Sequence, residues 1–184
     1  MFVTLAEIRA FLNIKSDDTT LDTILTILEG AATEAIKGYC RRDLVSATYE
    51  ELFDLKSYRL FLRELPVTSI TTVKYYDTDN TLVSLTAADY LLHIGNGQVI
   101  ITEPLANQYL VTYVAGYSTI PSDIKLAVLE LVAYNYNNTK HGDSRLGVTS
   151  KSRGAGGVSG QDSFQVDFVD KTLAKLSKYR WVNV

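Results

Sequence analysis

The chain has 184 residues, of which 46% are hydrophobic and 21% charged. Together with a mean hydropathy of +0.02, this composition indicates a globular protein and excludes the disordered and fibrous classes. The single cysteine, Cys40, excludes an internal disulfide, and no segment has the pattern of a membrane span or a signal peptide, so we expect cytoplasmic synthesis. The net charge of −3 is uneven, since residues 1–139 carry 10 basic against 17 acidic side chains and residues 140–184 carry 8 against 4. The basic C-terminal part is where we look for partners.

Two helices are predicted at the N-terminus. Thr4 and Glu7 have the spacing of a capping box, which predicts a short helix that ends near Asn13. The polar residues 16–20 are expected to cap a second helix, which has one apolar and one polar stripe. The apolar stripe consists of Leu21, Ile24, Leu25, Leu28, Ala31, Ala32, Ala35, Ile36 and Tyr39, and the opposite, solvated stripe of Asp22, Thr26, Glu29, Thr33 and Lys37. The small alanines predict the close approach of another helix.

Short β-branched and aromatic runs follow, separated by turn signals. They predict seven strands at residues 47–53, 58–62, 70–76, 81–85, 90–94, 98–102 and 108–114. Residues 77–80 and 95–97 are the strongest turn signals, and the second predicts a tight hairpin turn. This spacing favours an antiparallel sheet, sandwich or small barrel.

The long helix that follows is the element around which we expect the fold to be organised. Pro121 and Ser122 mark its start, with Ser122 or Asp123 as the cap, and it continues to Asn138. Ile124, Ala127, Val128 and Leu131 share one face, whereas Leu126, Leu129, Ala133 and Tyr136 form the opposite face. The periodicity fits the central helix of a monomer and a helix that packs on a neighbouring subunit equally well.

The C-terminal part changes character. Residues 139–162 contain six glycines and the basic residues Arg145, Lys151 and Arg153, which predicts a flexible arm. Residues 164–169 are expected to form a strand or an extended arm, and Asp170 to cap a last helix at residues 171–179. That helix carries Lys171, Lys175 and Lys178 on one face and Leu173 and Leu176 on the other, before an aromatic and basic end. Such a charged face is either simply solvated or part of a segment that orders on a partner.

No constellation of catalytic or metal-binding residues is recognisable. His93 and His141 lack ligand spacing, and the glycine-rich residues 154–160 lack the Lys-Ser/Thr pair of a phosphate-binding loop. A hydrolase with a site near Asp89 and His93 would need a convergent pocket that the sequence does not indicate. We therefore predict a protein that is not an enzyme and has no metal or cofactor.

These elements predict an α+β fold. A helical core, made of two N-terminal helices, a long central helix and a short C-terminal helix, is assigned to residues 1–44 and 117–184. An inserted antiparallel β domain is assigned to residues 45–116.

The order of several short motifs resembles a known family. The motifs are residues 3–12 (Val-Thr-Leu-Ala-Glu-Ile-Arg-Ala-Phe-Leu), 36–44 (Ile-Lys-Gly-Tyr-Cys-Arg-Arg-Asp-Leu), 65–70 (Leu-Pro-Val-Thr-Ser-Ile), 113–117 (Tyr-Val-Ala-Gly-Tyr), the helix at 120–133 and residues 176–180 (Leu-Ser-Lys-Tyr-Arg). They resemble the head-tail connector proteins of tailed bacteriophages, also called adaptor or head completion proteins. Residues 40–43 depart from the Thr-Gly-Arg that is frequent there, with Arg42 as the matching arginine.

The resemblance implies a structural virion protein at the head-tail junction. It implies a ring of about twelve copies beneath the portal that extends the DNA channel, contacts the genome only transiently and docks stopper or tail proteins. Carried onto this chain, it implies subunit contacts through Leu126, Leu129, Ala133 and Tyr136, and portal docking through Leu173, Leu176, Tyr179, Arg180 and Trp181. The alternative is a monomeric β-rich module that binds a ligand or peptide on a sheet face around Tyr75, Tyr109 and Tyr113.

Overall fold

The computed structural model describes residues 1–54, 58–103, 105–139, 141, 150–155, 158–163 and 167–181, with backbone only for 150–155 and 158–163. The chain divides into two compact units, Met1–Arg41 with Pro121–Val184 and Arg42–Ile120. Helices make up the core of the first unit, and the second consists of antiparallel sheets. The α+β fold predicted from the sequence is confirmed.

Within the described residues, four helices and one 3-10 turn form the framework of the first unit. They are α1 (Leu5–Phe11), α2 (Asp22–Cys40), α3 (Ser122–Asn138), α4 (Phe168–Ala174) and the turn Ser177–Tyr179. The predicted capping box of α1 is confirmed, because the Thr4 hydroxyl accepts from the Glu7 amide and the Glu7 carboxylate accepts from the Thr4 amide. Asn13, at φ 57°, lies just after the end of this helix.

The other helix starts differ from the predictions. Asp18 accepts from the amide and hydroxyl of Thr20 in a local turn, so α2 begins after Leu21 without a side-chain cap. α3 begins after Pro121, also without a side-chain cap. The helix α4 starts three residues earlier than expected because Phe168 packs on α3, and Asp170 therefore lies in its first turn. Of the expected extended run, 164–166 lie outside the described residues.

The polar stripe of α2 is not solvated as predicted. Glu29 and Thr33 are buried, because the N-terminal segment covers them. The Phe2 amide donates to Glu29 at 2.7 Å, and the Thr33 hydroxyl donates to the same oxygen at 2.9 Å. The buried face of α2 is consequently Leu25, Glu29, Ala32, Thr33, Ile36 and Cys40. This shift leaves Ala31 and Ala35 exposed.

All seven strands predicted for the second unit are present. They are β1 (Ala47–Asp54), β2 (Arg59–Phe61), β3 (Val67–Tyr76), β4 (Leu82–Ser84), β5 (Tyr90–His93), β6 (Gln98–Ile101) and β7 (Gln108–Ala115). The four-stranded sheet has the order β1-β7-β3-β4 and the three-stranded sheet β2-β6-β5, with antiparallel neighbours throughout. The hairpin turn predicted at residues 95–97 is present between β5 and β6, and its loop has four residues, 94–97, formed by a 3-10 turn and Gly97 at φ +61°.

Both sheets contribute to one hydrophobic core, which contains Tyr109 and Tyr113. Both rings are fully buried. The Tyr113 hydroxyl donates to Glu51 at 2.6 Å and accepts from the Glu64 amide at 3.1 Å. Burial and the hydrogen bond to Glu51 raise the pKa of Tyr113 far above its usual value. Of the three tyrosines that the binding-module alternative requires, Tyr109 and Tyr113 are therefore not available to a ligand, whereas Tyr75 is partly exposed.

The backbone conformation of Gly116 is needed at the end of β7. Its φ is +101°, and a Cβ atom at this position would lie 2.5 Å from the carbonyl oxygen of Val45. Only glycine adopts this conformation without strain or a clash with the neighbouring backbone. The residue thus fixes where the chain leaves the sheet.

The glycine-rich segment contains a hairpin that the sequence analysis did not predict. Strands β8 (Ser150–Ala155) and β9 (Val158–Ser163) pair in antiparallel register. Backbone pairing needs no large side chains, and the Gly-Gly sequence between the strands favours a tight turn. Lys151 and Arg153 belong to β8, whereas Arg145 lies outside the described residues.

In the part of the chain that the structure describes, none of the helices has both the length and the apolar character required to cross a lipid bilayer.

Replacing Glu29 tests its role as a buried acceptor. Glu29→Ala should lower the free energy of unfolding by about 2 kcal/mol, because it leaves the buried Phe2 amide without its acceptor and removes packed atoms. Urea denaturation measures this change. Glu34→Ala on the exposed side of the same helix, where the carboxylate is 72% exposed, is the control and should cost less than about 0.5 kcal/mol. Equal costs for the two variants would contradict this assignment.

Candidate assembly interface

The helix α3 has four sides with different surroundings. Ile124, Ala127, Val128, Leu131 and Val132 are buried and form the side that faces the core of the first unit. The inner face predicted from the periodicity is confirmed, and Val132 adds to it. The chain thus buries one side of α3 completely, and the surroundings of the other three sides decide what remains accessible.

On one flank, α3 is tied to α1 by an ion pair. The Lys125 ammonium lies 2.8 Å from a carboxylate oxygen of Glu7. The hydrogen bond from Lys125, aided by the Thr4 amide, lowers the pKa of Glu7 to about 2. Both side chains keep about a third of their surface exposed, so solvent reduces the strength of this pair.

On the other flank, α3 is covered by α4. The rings of Tyr134 and Phe168 stack with their centroids 5.2 Å apart and 13° between their planes. One turn earlier along α3, Glu130 accepts from the buried Thr172 hydroxyl at 3.3 Å and from Lys175 at 2.8 Å. This flank therefore combines an aromatic contact with charge-assisted hydrogen bonds.

The first turn of α3 holds the residues that follow α4. Asp123 accepts from the Tyr179 hydroxyl at 2.8 Å, and the Lys178 ammonium lies at the same distance from its other oxygen. Burial alone would raise the pKa of Asp123, but the hydrogen bonds from Lys178 and Tyr179 outweigh it and lower the pKa. Burial and the bond to Asp123 in turn raise the pKa of Tyr179. Asp123 thus anchors this C-terminal segment to α3.

The fourth side of α3 is apolar and open. Leu126 is 48% exposed, and the other three residues are partly exposed. We call this set the outer face of α3: Leu126, Leu129, Ala133 and Tyr136. None of the four is an acidic or basic residue, and the charged groups of α3 lie on its two flanks. These are the residues predicted to contact a neighbouring subunit, and that role stays a prediction.

The five residues predicted to dock on a portal do not share one environment. Leu176 and Tyr179 are buried in the first unit, so they present almost no surface to a partner. Leu173 and Trp181 are partly exposed and Arg180 is exposed. The Arg180 guanidinium lies over the Tyr39 ring at 5.6 Å, and the Trp181 amide donates to the Cys40 carbonyl at 2.9 Å. The C-terminal segment is thus fastened to the end of α2.

The predicted basic face is exposed but partly neutralised. Lys171, Lys175 and Lys178 are all exposed. Lys175 and Lys178 pair with Glu130 and Asp123 of α3, so their charges hold the segment in place. The sequence analysis missed this role of the two carboxylates. A lone acidic residue in an apolar helix, such as Glu130, was the available signal for it.

The described residues show little that suggests catalysis. Among them, no group of three or more His, Cys, Asp or Glu side chains is arranged to hold a metal ion. Asp89 accepts from the amide and the hydroxyl of Thr86, both at 2.7 Å, and these bonds lower its pKa. This carboxylate stabilises a turn, and His93 is exposed on β5. The geometry gives no support to the hydrolase alternative.

The fold is shared with chains of virus-like particles. A chain in the virion of a native gene transfer agent particle has a TM-score of 0.64 and 20% identity, with coverage of 100% of this chain and 91% of the other. A chain in the neck of the empty particle, computed with C6 symmetry, has a TM-score of 0.63 and 18% identity, with coverage of 100% of this chain and 91% of the other. A chain in the neck of the native particle, computed with C12 symmetry, has a TM-score of 0.58 and 18% identity, with coverage of 100% of this chain and 96% of the other. At these identities, the likeness establishes the fold.

The family follows from the sequence itself. The family model described as "Head completion protein" matches residues 1–161, and the chain therefore belongs to the head completion protein family. The resemblance noted from the motifs is confirmed, and the chain is a structural protein of the head-tail type. A comparison with curated proteins finds no match.

The anchoring role of Asp123 predicts a pH-dependent effect of its replacement. Asp123→Asn should lower the free energy of unfolding by about 1 kcal/mol at pH 7, because the ion pair with Lys178 and the charge-assisted hydrogen bond from Tyr179 are lost. The folded pKa of Asp123 lies below its ordinary value of 3.8. Its contribution is therefore complete above that value and disappears as the pH falls through the folded pKa.

Trp181 is the only tryptophan of the chain, so its emission during urea titrations at pH 7, 5 and 3 reports on this segment. The difference between wild type and variant should be constant from pH 7 to 5 and shrink towards pH 3. Glu7→Gln, on the opposite flank, should leave the Trp181 emission of the native protein unchanged. A difference that is independent of pH would refute the anchoring role of the carboxylate.

Proposed function

We propose that this protein forms a ring of about twelve copies beneath the portal, at the head-tail junction of a virion. The ring extends the DNA channel and offers a surface to stopper or tail proteins. The observation that carries the proposal is the open, apolar outer face of α3 in a chain of the head completion family. The neck computed with C12 symmetry, which contains a chain of the same fold, supports the copy number.

The size of the outer face fits assembly on a template. Full burial of one leucine side chain contributes about 1.5–3 kcal/mol of stabilisation. Because Leu126 is 48% exposed in the free chain, its burial in a contact can contribute only about half of that. A contact between two copies is accordingly weak once the entropy of association is subtracted. Closure of a ring on a portal makes many such contacts at once, and avidity then holds the ring together.

The portal contact is assigned to the exposed part of the C-terminal segment. Leu173, Arg180 and Trp181 supply its surface, while Leu176 and Tyr179 fasten the segment from within. An Arg and a Trp are typical of residues that dominate the energy of an interface. The basic residues Arg145, Lys151, Arg153 and Lys171 add long-range attraction to an acidic partner surface.

The charge of the chain fits a conduit for DNA. Residues 1–139 carry 10 basic against 17 acidic side chains, and such an excess of negative charge disfavours tight binding to phosphates. Contact with the passing genome is thus transient and independent of sequence. Synthesis takes place in the bacterial host, before the ring joins the particle.

Leu126→Glu tests the proposed ring. The substitution places a charge in the outer face, and burial of an unpaired charge in a subunit contact is costly. The variant should therefore fail to assemble into its own ring, both alone and in the presence of portal protein from the same source. Light scattering gives the solution mass. Because Leu126 is already 48% exposed, the melting temperature of the free chain should change by less than about 3 °C.

The matched control is Leu52→Glu on β1, where the leucine has a similar exposure of 54%. This variant should assemble like the wild type. If Leu126→Glu still assembles fully, the outer face of α3 is not the subunit contact. A wild-type chain that remains a monomer even with the portal would refute the ring altogether.

A further inference from the structure

The helix α2 also has an open apolar side, separate from its buried face. At 100° per residue, six uncharged residues fall within an arc of about 100°. We call this set the α2 arc: Ile24, Ile27, Leu28, Ala31, Ala35 and Gly38. Ile27 is 64% exposed, and Ala31, Ala35 and Gly38 are exposed as well. An apolar side of this extent on a soluble helix indicates a contact.

Gly38 is not explained by the folded chain. Among the described residues, no heavy atom lies within 4 Å of the place that a Cβ atom would take at this position, inside a regular helix. The same holds for Gly30, which lies outside the arc. Glycine in a helix is destabilising relative to alanine, and here no intramolecular contact offsets this cost. A close approach from outside the chain would explain why the surface is kept low at this point.

The ring needs a second face on each copy. In a closed ring with more than two members, each contact is heterologous, so that one surface of a copy meets a different surface of the next. We propose that the α2 arc of one copy receives the outer face of α3 of the neighbouring copy. This inference rests on the proposed ring and names its second surface.

The two faces match in relief and in length. Leu126, Leu129 and Tyr136 are large, whereas the α2 arc is low at Ala31, Ala35 and Gly38, so the ridge of one helix can enter the groove of the other. At 1.5 Å per residue, the arc from Ile24 to Gly38 extends over about 21 Å and the outer face of α3 over about 15 Å. The smaller face therefore fits within the larger one.

The chemistry also fits a second copy. Neither face carries a charged side chain, so their contact buries no unpaired charge. A contact of the α2 arc with the same arc, or of the α3 face with the same face, would be isologous and would stop at a dimer. A pairing of two different faces continues from copy to copy until the ring closes.

The test uses Ile27→Lys, with Thr26→Lys as the control on an exposed position of the same helix outside the arc. Ile27→Lys should abolish the wild-type assembly on the portal, and Thr26→Lys should preserve it. Light scattering measures the mass, and the melting temperature of the free chain should be nearly unchanged in both variants. In addition, Ile27→Lys and Leu126→Glu chains are mixed and followed by sedimentation at increasing concentration.

Each chain in the mixture retains one intact face, and these faces are complementary. Because a single contact is weak, the mean mass of the mixture should rise with concentration towards that of a 1:1 heterodimer, twice the chain mass of 20.4 kDa, while neither variant alone exceeds the monomer. If Ile27→Lys assembles like Thr26→Lys, the α2 arc is not part of the contact, although the ring stands. A mixture that stays monomeric at all concentrations would also overturn the pairing of the two faces. A wild-type chain that never assembles would refute the proposed ring itself.

Discussion

Two carboxylates on one flank of α3, Asp123 and Glu130, determine which side of that helix remains open. They bind Tyr179, Lys178 and Lys175 and so hold the C-terminal segment against the flank rather than over the outer face. The Glu7–Lys125 pair occupies the opposite flank. With the inner side buried in the core, the apolar surface that α3 leaves open among the described residues is the outer face, which is the one proposed for the neighbouring copy.

The energetics of this arrangement favour assembly over permanent association. The two ion pairs that hold the C-terminal segment, Lys175–Glu130 and Lys178–Asp123, are partly solvated and individually weak, so they orient the segment but add little to its stability. The open faces of α3 and α2 are small for a stable dimer, but in the proposed ring their contact would repeat from copy to copy. We therefore propose that the protein remains dispersed until a template collects enough copies to close the ring.

The sequence predicted the elements whose pattern is local. The strands alternate over a few residues, the capping box spans three positions, and the inner face of α3 repeats every turn; all of these were confirmed. The burial of Glu29 depends on the N-terminal segment and the role of Asp123 on Tyr179, 56 residues away, and no local pattern reveals such contacts. The burial of Leu176 and Tyr179 was missed for the same reason. The pairing of β8 with β9 was missed because these strands lack large apolar side chains.

Photocrosslinking from position 126 tests the central claim most directly. A photoreactive benzophenone side chain placed there in assembled particles reacts only with groups in contact, and mass spectrometry identifies the product. We expect a crosslink to a second copy of this chain, within residues 24–38 of α2. A crosslink exclusively to a different virion protein, or no product from intact particles, would contradict it.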